Sequence, residues 1–576
     1  MTDPTNSEIA ARLEELGDLY ELDGAVIHRI VAYRNGAKAV REASTSVAAL
    51  ARESRATELP GIGATLQEKI RALTETGEIP ALVKLRARFP PGLLEVTRLP
   101  GLGAKRARRL YDELGIDSLQ ALQEAAEARR IRELKGFGAK AEEAILTAIA
   151  AHAAAGPARR TVLHHALNVG EELVAALAAL PITDRVQLAG SARRMTETVK
   201  DLDIIATAGD PAALARAAAA LPQIEQASTP GENAVRMRTH TGLNVDLRIA
   251  EPDQFGNLLQ HLTGSKQHNM ALRDLAVRRG LHISEYGITD ERTGVSHRAA
   301  TEAEVYAWLG MDYIEPELRE DRGELQAALA HTLPHPLVTA ADLRGELHAH
   351  TVASDGTATI LEMARAAREH GYEYLAITDH SASMGFGADV SADELRRQIE
   401  RIRTTEVEGL ELLAGSEVNI LPDGSLDYPD ELLAELDWVI ASVHTSFRMP
   451  AAEMTARIVR AVEHPYVDCI GHLSGRKLEQ RPPYELAFEA VLDACVRTGT
   501  LLEINANPDR RDLSELHARA AAAAGVPLVI TTDAHRTTGF DVVRYGVATA
   551  RRAWLTPDQI ANTLPWPELR ALRPRP

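Results

Sequence analysis

The 576-residue sequence predicts a multidomain chain in three parts: an all-α N-terminal region, a middle α+β domain, and a C-terminal α/β barrel of seven strands, a distorted TIM-like form. Three observations predict it. Apolar residues recur at spacings of three and four from 7 to 150. A strand–turn–strand pattern surrounds Gly190–Asp203. Beyond Pro334 and Pro336, short apolar strands alternate with helices. The boundaries read from the sequence are 1–85, 86–155, 156–250, 251–315, a proline-containing linker at 316–341, and 342–576.

Composition narrows the class. The formal charge is −18, yet residues 1–160 carry 24 Lys/Arg against 22 Asp/Glu, which leaves the remainder at −20. A grip on nucleic acid would therefore be local, through loops and helix ends, and carboxylates committed to divalent metals inflate the acidity. Two cysteines, Cys469 and Cys495, exclude a disulfide framework and suit a reducing cytosol. The N-terminus is polar without a signal-like segment, and no run of about 18 apolar residues occurs. A cytoplasmic chain without membrane contact is expected.

Within the helical region one pattern recurs: Leu59-Pro60-Gly61-Ile62-Gly63, Leu99-Pro100-Gly101-Leu102-Gly103 and Leu134-Lys135-Gly136-Phe137-Gly138. Two glycines around an apolar anchor let a hairpin turn tightly, and the helix that follows offers free N–H groups to a phosphate. Lys105 and Arg106, then Arg108 and Arg109, follow the second copy. The pattern resembles the helix-hairpin-helix, a sequence-independent grip on the DNA backbone.

In the middle domain, Asp201 and Asp203 share one strand face, and Asp246 lies in a later strand-like run, Asn244–Ile249. Like charges so close call for a cation between them. Gly190-Ser191 supplies unhindered N–H groups and a hydroxyl to a phosphate, with Arg193 and Arg194 beside it. Three carboxylates beside a phosphate cradle are what two-metal phosphoryl transfer needs.

In the C-terminal half, strands are expected at 345–350, 374–380, 411–417, 438–444, 467–472, 501–505 and 527–533, with helices at 357–370, 391–408, 451–464 and 483–498. Six of the seven strands end in a His, Glu or Asp, where a parallel barrel keeps its active site. The inventory is His348, His350, Asp355, His380, Glu417, His444, His472, Asp533 and His535. Imidazoles mixed with carboxylates suit Zn²⁺ or Mn²⁺, and nine groups exceed one metal's needs.

Gly190-Ser191, Asp201-Leu202-Asp203 and Val245-Asp246-Leu247-Arg248 resemble the palm of the X family of DNA polymerases, a nucleotidyltransferase fold. Leu262-Thr263-Gly264-Ser265-Lys266-Gln267-His268-Asn269 and Arg273 resemble that family's nucleotide pocket in the thumb; where animal members carry an aromatic pair, this chain has His261-Leu262. The resemblance implies that Asp201, Asp203 and Asp246 hold Mg²⁺ and that Gly190, Ser191 and Arg194 serve the triphosphate. It places Gly264, Ser265, Asn269 and Arg273 around the new base pair. It also matches Lys69 to a lysine that forms a Schiff base with 5′-deoxyribose phosphate, and Tyr33 to a tyrosine beside it.

His348-Ala349-His350, Thr378-Asp379-His380, Gly415-Ser416-Glu417, Ser442-Val443-His444, Gly471-His472 and Asp533-Ala534-His535 resemble the polymerase and histidinol phosphatase (PHP) family; Glu346 stands where many members have Asp. That resemblance implies up to three Mn²⁺ or Zn²⁺ ions. His348, His350, Glu417 and Asp533 would hold one, Glu417 would bridge to a second on His444 and His472, and Asp355, His380 and His535 would hold the third.

The joint expectation is a monomeric DNA repair polymerase, suited to base excision repair, that fills short gaps in gapped or nicked double-stranded DNA from dNTPs. The barrel would add a Mn²⁺-dependent 3′→5′ exonuclease and cleavage at abasic sites. The alternative is a PHP phosphoesterase that uses a catalytically weak polymerase core as a DNA-binding platform. A DNA-end-binding scaffold and a small-molecule phosphatase are further rivals, and the intact metal constellations and the three hairpins count against them.

Overall fold

The helical spacing at the N-terminus becomes nine α-helices among the described residues, from Asn6–Leu22, whose Thr5/Glu8 capping box closes its first turn, to Ala139–Ala154. The computed structural model describes residues 4–43, 45–97, 99, 101–154, 160–383 and 389–573. Their packing forms two units. The first is Met1–Thr161, His165–Leu188 and Lys200–Glu251; the second is Val162–His164, Ala189–Val199 and Pro252–Pro576.

In the first unit a single apolar cluster runs from Ile9 through Leu66, Leu82 and Leu102 to Ile149. The expected boundary at 85/86 therefore falls inside a continuous core, because helices on both sides bury their apolar stripes against each other. The expected boundary at 155/156, and Pro100 of the second hairpin, lie outside the described residues.

A five-stranded sheet completes the first unit: β1 (Thr183–Leu188), β2 (Asp201–Ala208), β3 (Ile224–Ala227), β4 (Ala234–Thr239) and β5 (Asn244–Ile249), in spatial order β1-β2-β5-β4-β3. Only β2 and β5 run parallel. Leu202, Ile204 and Ala206 are fully buried on one face of β2, which turns Asp201 and Asp203 to the other.

The second unit begins with helices Phe255–Thr263 and Lys266–Val277 and an antiparallel sheet, β6 (Leu281–Ser284), β7 (Gly287–Asp290) and β8 (Ser296–His297). Residues 316–341, read from their prolines as a linker, are a packed continuation of this part. They contain helix Glu324–Ala330, and Leu318, Leu325, Ala328 and Leu337 join the core of Leu272, Ile283 and Tyr306. Prolines interrupt helices without preventing burial, so composition misread this stretch.

Seven parallel strands follow in sequence order: β9 (Gly345–Ala349), β10 (Tyr374–Ile377), β11 (Glu411–Asn419), β12 (Trp438–Ser442), β13 (Cys469–Ile470), β14 (Leu501–Asn505) and β15 (Leu528–Thr531). They match the seven expected strands, most ending short of the residues that bear ligands. Leu347, Tyr374, Leu413, Ile440, Cys469, Leu501 and Val529, one from each strand, meet in one cluster that fills the barrel.

Two devices draw β9 and β15 together. At the ligand-bearing rim Ala349 and Ala534 form a parallel bridge. Deeper in, the fully buried Asn562 accepts from Ile530 N and donates to the carbonyls of Gly345 and Ile530 (3.0, 2.9 and 2.7 Å). One amide side chain thus satisfies backbone groups of both strands.

Candidate active sites

The three hairpins share one geometry. Gly61, Gly101 and Gly136 take φ of 92°, 87° and 89°, in the left-handed region that glycine enters without penalty. Gly63 and Gly103 cap the helices that follow, and at Gly63, Gly103 and Gly138 an added Cβ would meet open space. Unobstructed N–H groups at helix starts suit a phosphate. Lys105 is exposed. Arg106 instead donates to Gly101 O (3.1 Å), and Arg109 to Lys135 O (2.6 Å), so Arg109 ties the second hairpin to the third.

Lys69, on helix Ala64–Thr76, is partly buried, and its amine is pulled below its ordinary pKa by that burial and then by the Arg29 guanidinium. Those are the two conditions under which a lysine amine becomes a nucleophile. Tyr33 is buried and stacks on Tyr20 with ring centroids 5.3 Å apart; burial raises its phenol to about 12.

On the sheet, parallel pairing sets Asp203 directly opposite Asp246, and Asp201 shares their face one pleat away. All three are partly buried. Asp246 accepts from Arg248 at Oδ1 (3.2 Å) and Oδ2 (3.5 Å), with Arg236 3.9 Å from Oδ2. Guanidinium groups thus flank the Asp246 carboxylate.

The Gly190–Arg193 turn and the thumb residues lie in the second unit. Gly190 opens a one-turn helix at φ 65°, and Ser191 O accepts from Thr196 N (3.2 Å) and Thr196 Oγ1 (3.1 Å). Arg193 forks onto Glu302 (2.9 and 2.6 Å), while Arg194 donates to Glu320 (3.0 Å) and Thr263 O (2.7 Å). Burial works to raise the Glu302 carboxyl, but Arg319 and Arg193 hold it down at about 2.

Ser265 caps helix Lys266–Val277 by accepting from His268 N (3.1 Å). A Cβ on Gly264 would lie 2.5 Å from Asn269 Oδ1 and 2.9 Å from His268 Cδ2, so a side chain there would displace both. Asn269 donates to His261 O (2.7 Å) and Gly264 O (3.2 Å); Arg273 is exposed, 3.4 Å from His261 Nδ1. His268, fully buried between Glu324 (2.6 Å) and Tyr306 (3.2 Å), anchors this turn from a stretch that read as linker.

At the barrel rim all nine expected ligands converge. Three groupings have ligand atoms within 4.8 Å of one another: His348, His350 and Asp533; His350, Asp355, His380 and His535; and His380, Glu417 and His444. Glu417 Oε1 lies 3.1 Å from His444 Nε2 and 2.9 Å from His472 Nε2, and its Oε2 lies 3.3 Å from His348 Nε2. The carboxylate stands between groups, and His350 and His380 are each shared by two. A Cβ on Gly356 would meet His350 O at 2.6 Å, so only glycine lets the turn carrying Asp355 fold back onto His350.

The residues fit divalent cations. His348 Nε2, both ring nitrogens of His350 and Glu417 Oε2 are buried without a hydrogen-bond partner, an arrangement that costs stability unless something else coordinates them. A cavity of about 240 Å³ opens beside them, lined on its far side by Lys477, Asn507, Asp509 and Arg510.

Glu503, fully buried on β14, is a functional residue the sequence reading missed. It accepts from His348 Nδ1 (2.6 Å), Thr531 Oγ1 (2.5 Å) and the His472 amide, which turns His348 Nε2 toward the centre. Asp379 was also missed; it accepts from Thr351 N and Oγ1 (2.7 Å each) and Ser354 (2.6 Å), ordering the turn that carries Asp355. An alternation of buried residues on a barrel strand was the one signal available for Glu503.

Electrostatics follow from the crowding. Burial works against the charged form of His380, but Glu417 and Asp355 raise it to about 10; His348 and His535 are raised likewise by the carboxylates around them. Burial would raise Glu417, yet His444, His380 and His348 hold it well below the carboxylate range. His350 is pushed down to about 4 by burial and then by His535 and His380.

Comparison with known proteins gives matching profiles for a helix-hairpin-helix domain at 4–79, a SAM-like helix-hairpin-helix tandem at 93–151, a DNA polymerase beta thumb at 258–320 and a PHP domain at 346–507. The Bacillus subtilis (strain 168) protein named DNA polymerase/3′-5′ exonuclease PolX is 36% identical over 559 residues, 96% of this chain and 97% of that one. A probable phosphatase of Thermoanaerobacter sp. (strain X514) is 35% identical over 232 residues, 38% of this chain and 89% of its own length. A probable phosphatase of Vibrio vulnificus (strain YJ016) is 30% identical over 206 residues, 34% and 78% respectively.

The raised imidazoles predict a proton linkage. A group whose pKa is raised keeps its proton through neutral pH, and a cation must displace it. Binding of Mn²⁺ or Zn²⁺ to the metal-free protein should release roughly one to three protons at pH 7 and tighten as pH rises. Calorimetric titrations in two buffers of different ionisation enthalpy measure this; equal heats would contradict it.

Proposed function

The chain belongs to the PolX family of DNA polymerase/3′-5′ exonucleases, and from that premise we propose a DNA repair enzyme with two separate metal-dependent sites. The palm, at 156–250, extends a primer; the barrel, at 342–576, removes nucleotides from a 3′ end. The observation that carries this reading is the pair of constellations: Asp203 and Asp246 in register beside Asp201, and nine candidate ligands at the barrel rim. A core kept only as a DNA-binding platform would have no need of all three palm carboxylates.

In the palm, Asp201, Asp203 and Asp246 would hold Mg²⁺, and Arg248 would release Asp246 as the cations load. Ser191 and the Gly190 turn receive the triphosphate, while Asn269 and Arg273 face the new base pair. In the barrel, His348, His350, Glu417 and Asp533 with His444, His472, Asp355, His380 and His535 would hold up to three Mn²⁺ or Zn²⁺. When bound, the cations in either site supply an activated oxygen nucleophile and neutralise charge on the phosphate under attack. Glu503 keeps His348 in the ligating tautomer, and Lys477 and Arg510 offer positive charge to the DNA backbone entering the cavity.

The hairpins grip the backbone of gapped or nicked duplex, with dNTPs as the second substrate. A cytoplasmic monomer is the proposed state; among the described residues no helix is long and apolar enough to cross a membrane. Cleavage at abasic sites is proposed for the same barrel.

Two outcomes test the two-site reading. Asp203→Ala should lower gap filling by about 10³-fold or more while Mn²⁺-stimulated 3′→5′ degradation stays within about twofold, and Glu417→Ala should show the reverse. One substitution removing both activities from folded protein would defeat it.

Lys69 carries a third proposed activity, removal of 5′-deoxyribose phosphate through a Schiff base. Borohydride should trap the chain on such DNA, and Lys69→Ala should lose about 10-fold or more of the trapped product. Equal trapping by the variant would assign the chemistry elsewhere.

A further inference from the structure

The turn that would receive the triphosphate is held by the barrel. Arg552, on helix Val543–Arg552, donates through Nη1 to Arg194 O (2.8 Å) and to Glu320 (3.0 Å), the same carboxylate oxygen that accepts from Arg194 Nε (3.0 Å). Arg511, just past β14, donates to Met195 O (3.0 Å) and Thr549 Oγ1 (3.1 Å). Arg476 forks onto Glu197 (3.3 and 2.5 Å) and also donates to Arg511 O. Arg511 and Arg552 are 0% and 4% exposed.

We propose that Arg511 and Arg552, braced by Arg476, are positioning residues for nucleotidyl transfer, so that the barrel is a working part of the polymerase's nucleotide site. The proposal rests on the reading of Gly190–Arg194 as the triphosphate turn. Burying guanidinium groups is costly; Arg552 is balanced by Glu320 and by Glu515 (3.0 Å), and each of the two arginines also gives a hydrogen bond to one of two consecutive carbonyls of the turn segment. Met195 sits at φ 57°, in the left-handed region that residues with a side chain rarely adopt, a conformation that persists only when its surroundings impose it. The grip reaches the reactive end through few links. Arg511 holds Met195 O, which fixes the peptide whose N–H, Thr196 N, donates to Ser191 O. Arg552 holds the carbonyl of Arg194 and shares a carboxylate with its side chain.

A hydrolytic barrel has no use for these contacts, because neither arginine lines the metal cavity. Their neighbour Arg510 does, so one turn serves the cavity with one residue and the nucleotide segment with the next.

The test uses the full chain in single-nucleotide gap filling, with dNTP KM and kcat measured separately and melting curves as a folding control. Arg511→Met and Arg552→Met should raise dNTP KM by about tenfold or more with a smaller effect on kcat, and Arg552→Lys should recover most of the loss. Glu197→Ala loosens the segment from its own side and should raise dNTP KM while the exonuclease rate stays within about twofold. Wild-type dNTP KM in folded Arg511→Met and Arg552→Met overturns the proposal. If those variants fail to fold, wild-type KM in Glu197→Ala overturns it. Ser191→Ala separates the two readings: an unchanged KM there removes the triphosphate turn itself, whereas a raised KM beside unaffected arginine variants removes only the barrel's role.

Discussion

A fully buried carboxylate with imidazoles from four other segments against it is expensive in any fold, and Glu417 is such a group. His348, His380, His444 and His472 all lie within 3.3 Å of its oxygens. Left to itself the cluster satisfies its charges with protons, which is why several imidazoles titrate high and the carboxylate low. Divalent cations meet the same need better, because they bind the lone pairs that burial leaves unpartnered. Strand order, the Ala349–Ala534 bridge and the Asn562 amide can all be read as ways of bringing seven strand ends to one small volume.

The palm meets a similar demand with less investment. Parallel pairing of β2 and β5 alone sets Asp203 against Asp246, and the adjacent Arg248 balances the charge of Asp246. Its carboxylates stay partly exposed. Of the nine candidate ligands in the barrel seven are buried, while Asp355 is exposed and His535 partly so.

Much of this was legible in the sequence for a local reason. Most of the candidate barrel ligands sit on or just past the end of a short apolar strand, so a reader who finds the strand finds the residue. Asp201 and Asp203 declare a shared face by their spacing. Glu503 was not legible, because it belongs to no recurring motif and acts through His348 Nδ1. Asn562 comes from a distant tail segment with no motif. Arg511 and Arg552 read as ordinary charges, since nothing in a linear sequence tells that they meet Met195 and Arg194 more than 300 residues earlier. The stretch 316–341 was misread because its prolines signal irregular backbone, which is correct, but say nothing of burial.

The central claim is that one chain both extends and hydrolyses a DNA 3′ end at separate metal centres. The most direct measurement incubates the wild-type protein with gapped, 5′-labelled primer DNA, first with Mg²⁺ and dNTPs, then with Mn²⁺ and no dNTPs, with and without pyrophosphatase. The account predicts extension in the first condition and stepwise shortening in the second, unchanged by pyrophosphatase. Shortening that pyrophosphatase abolishes would mean the palm running in reverse, and would contradict a hydrolytic barrel.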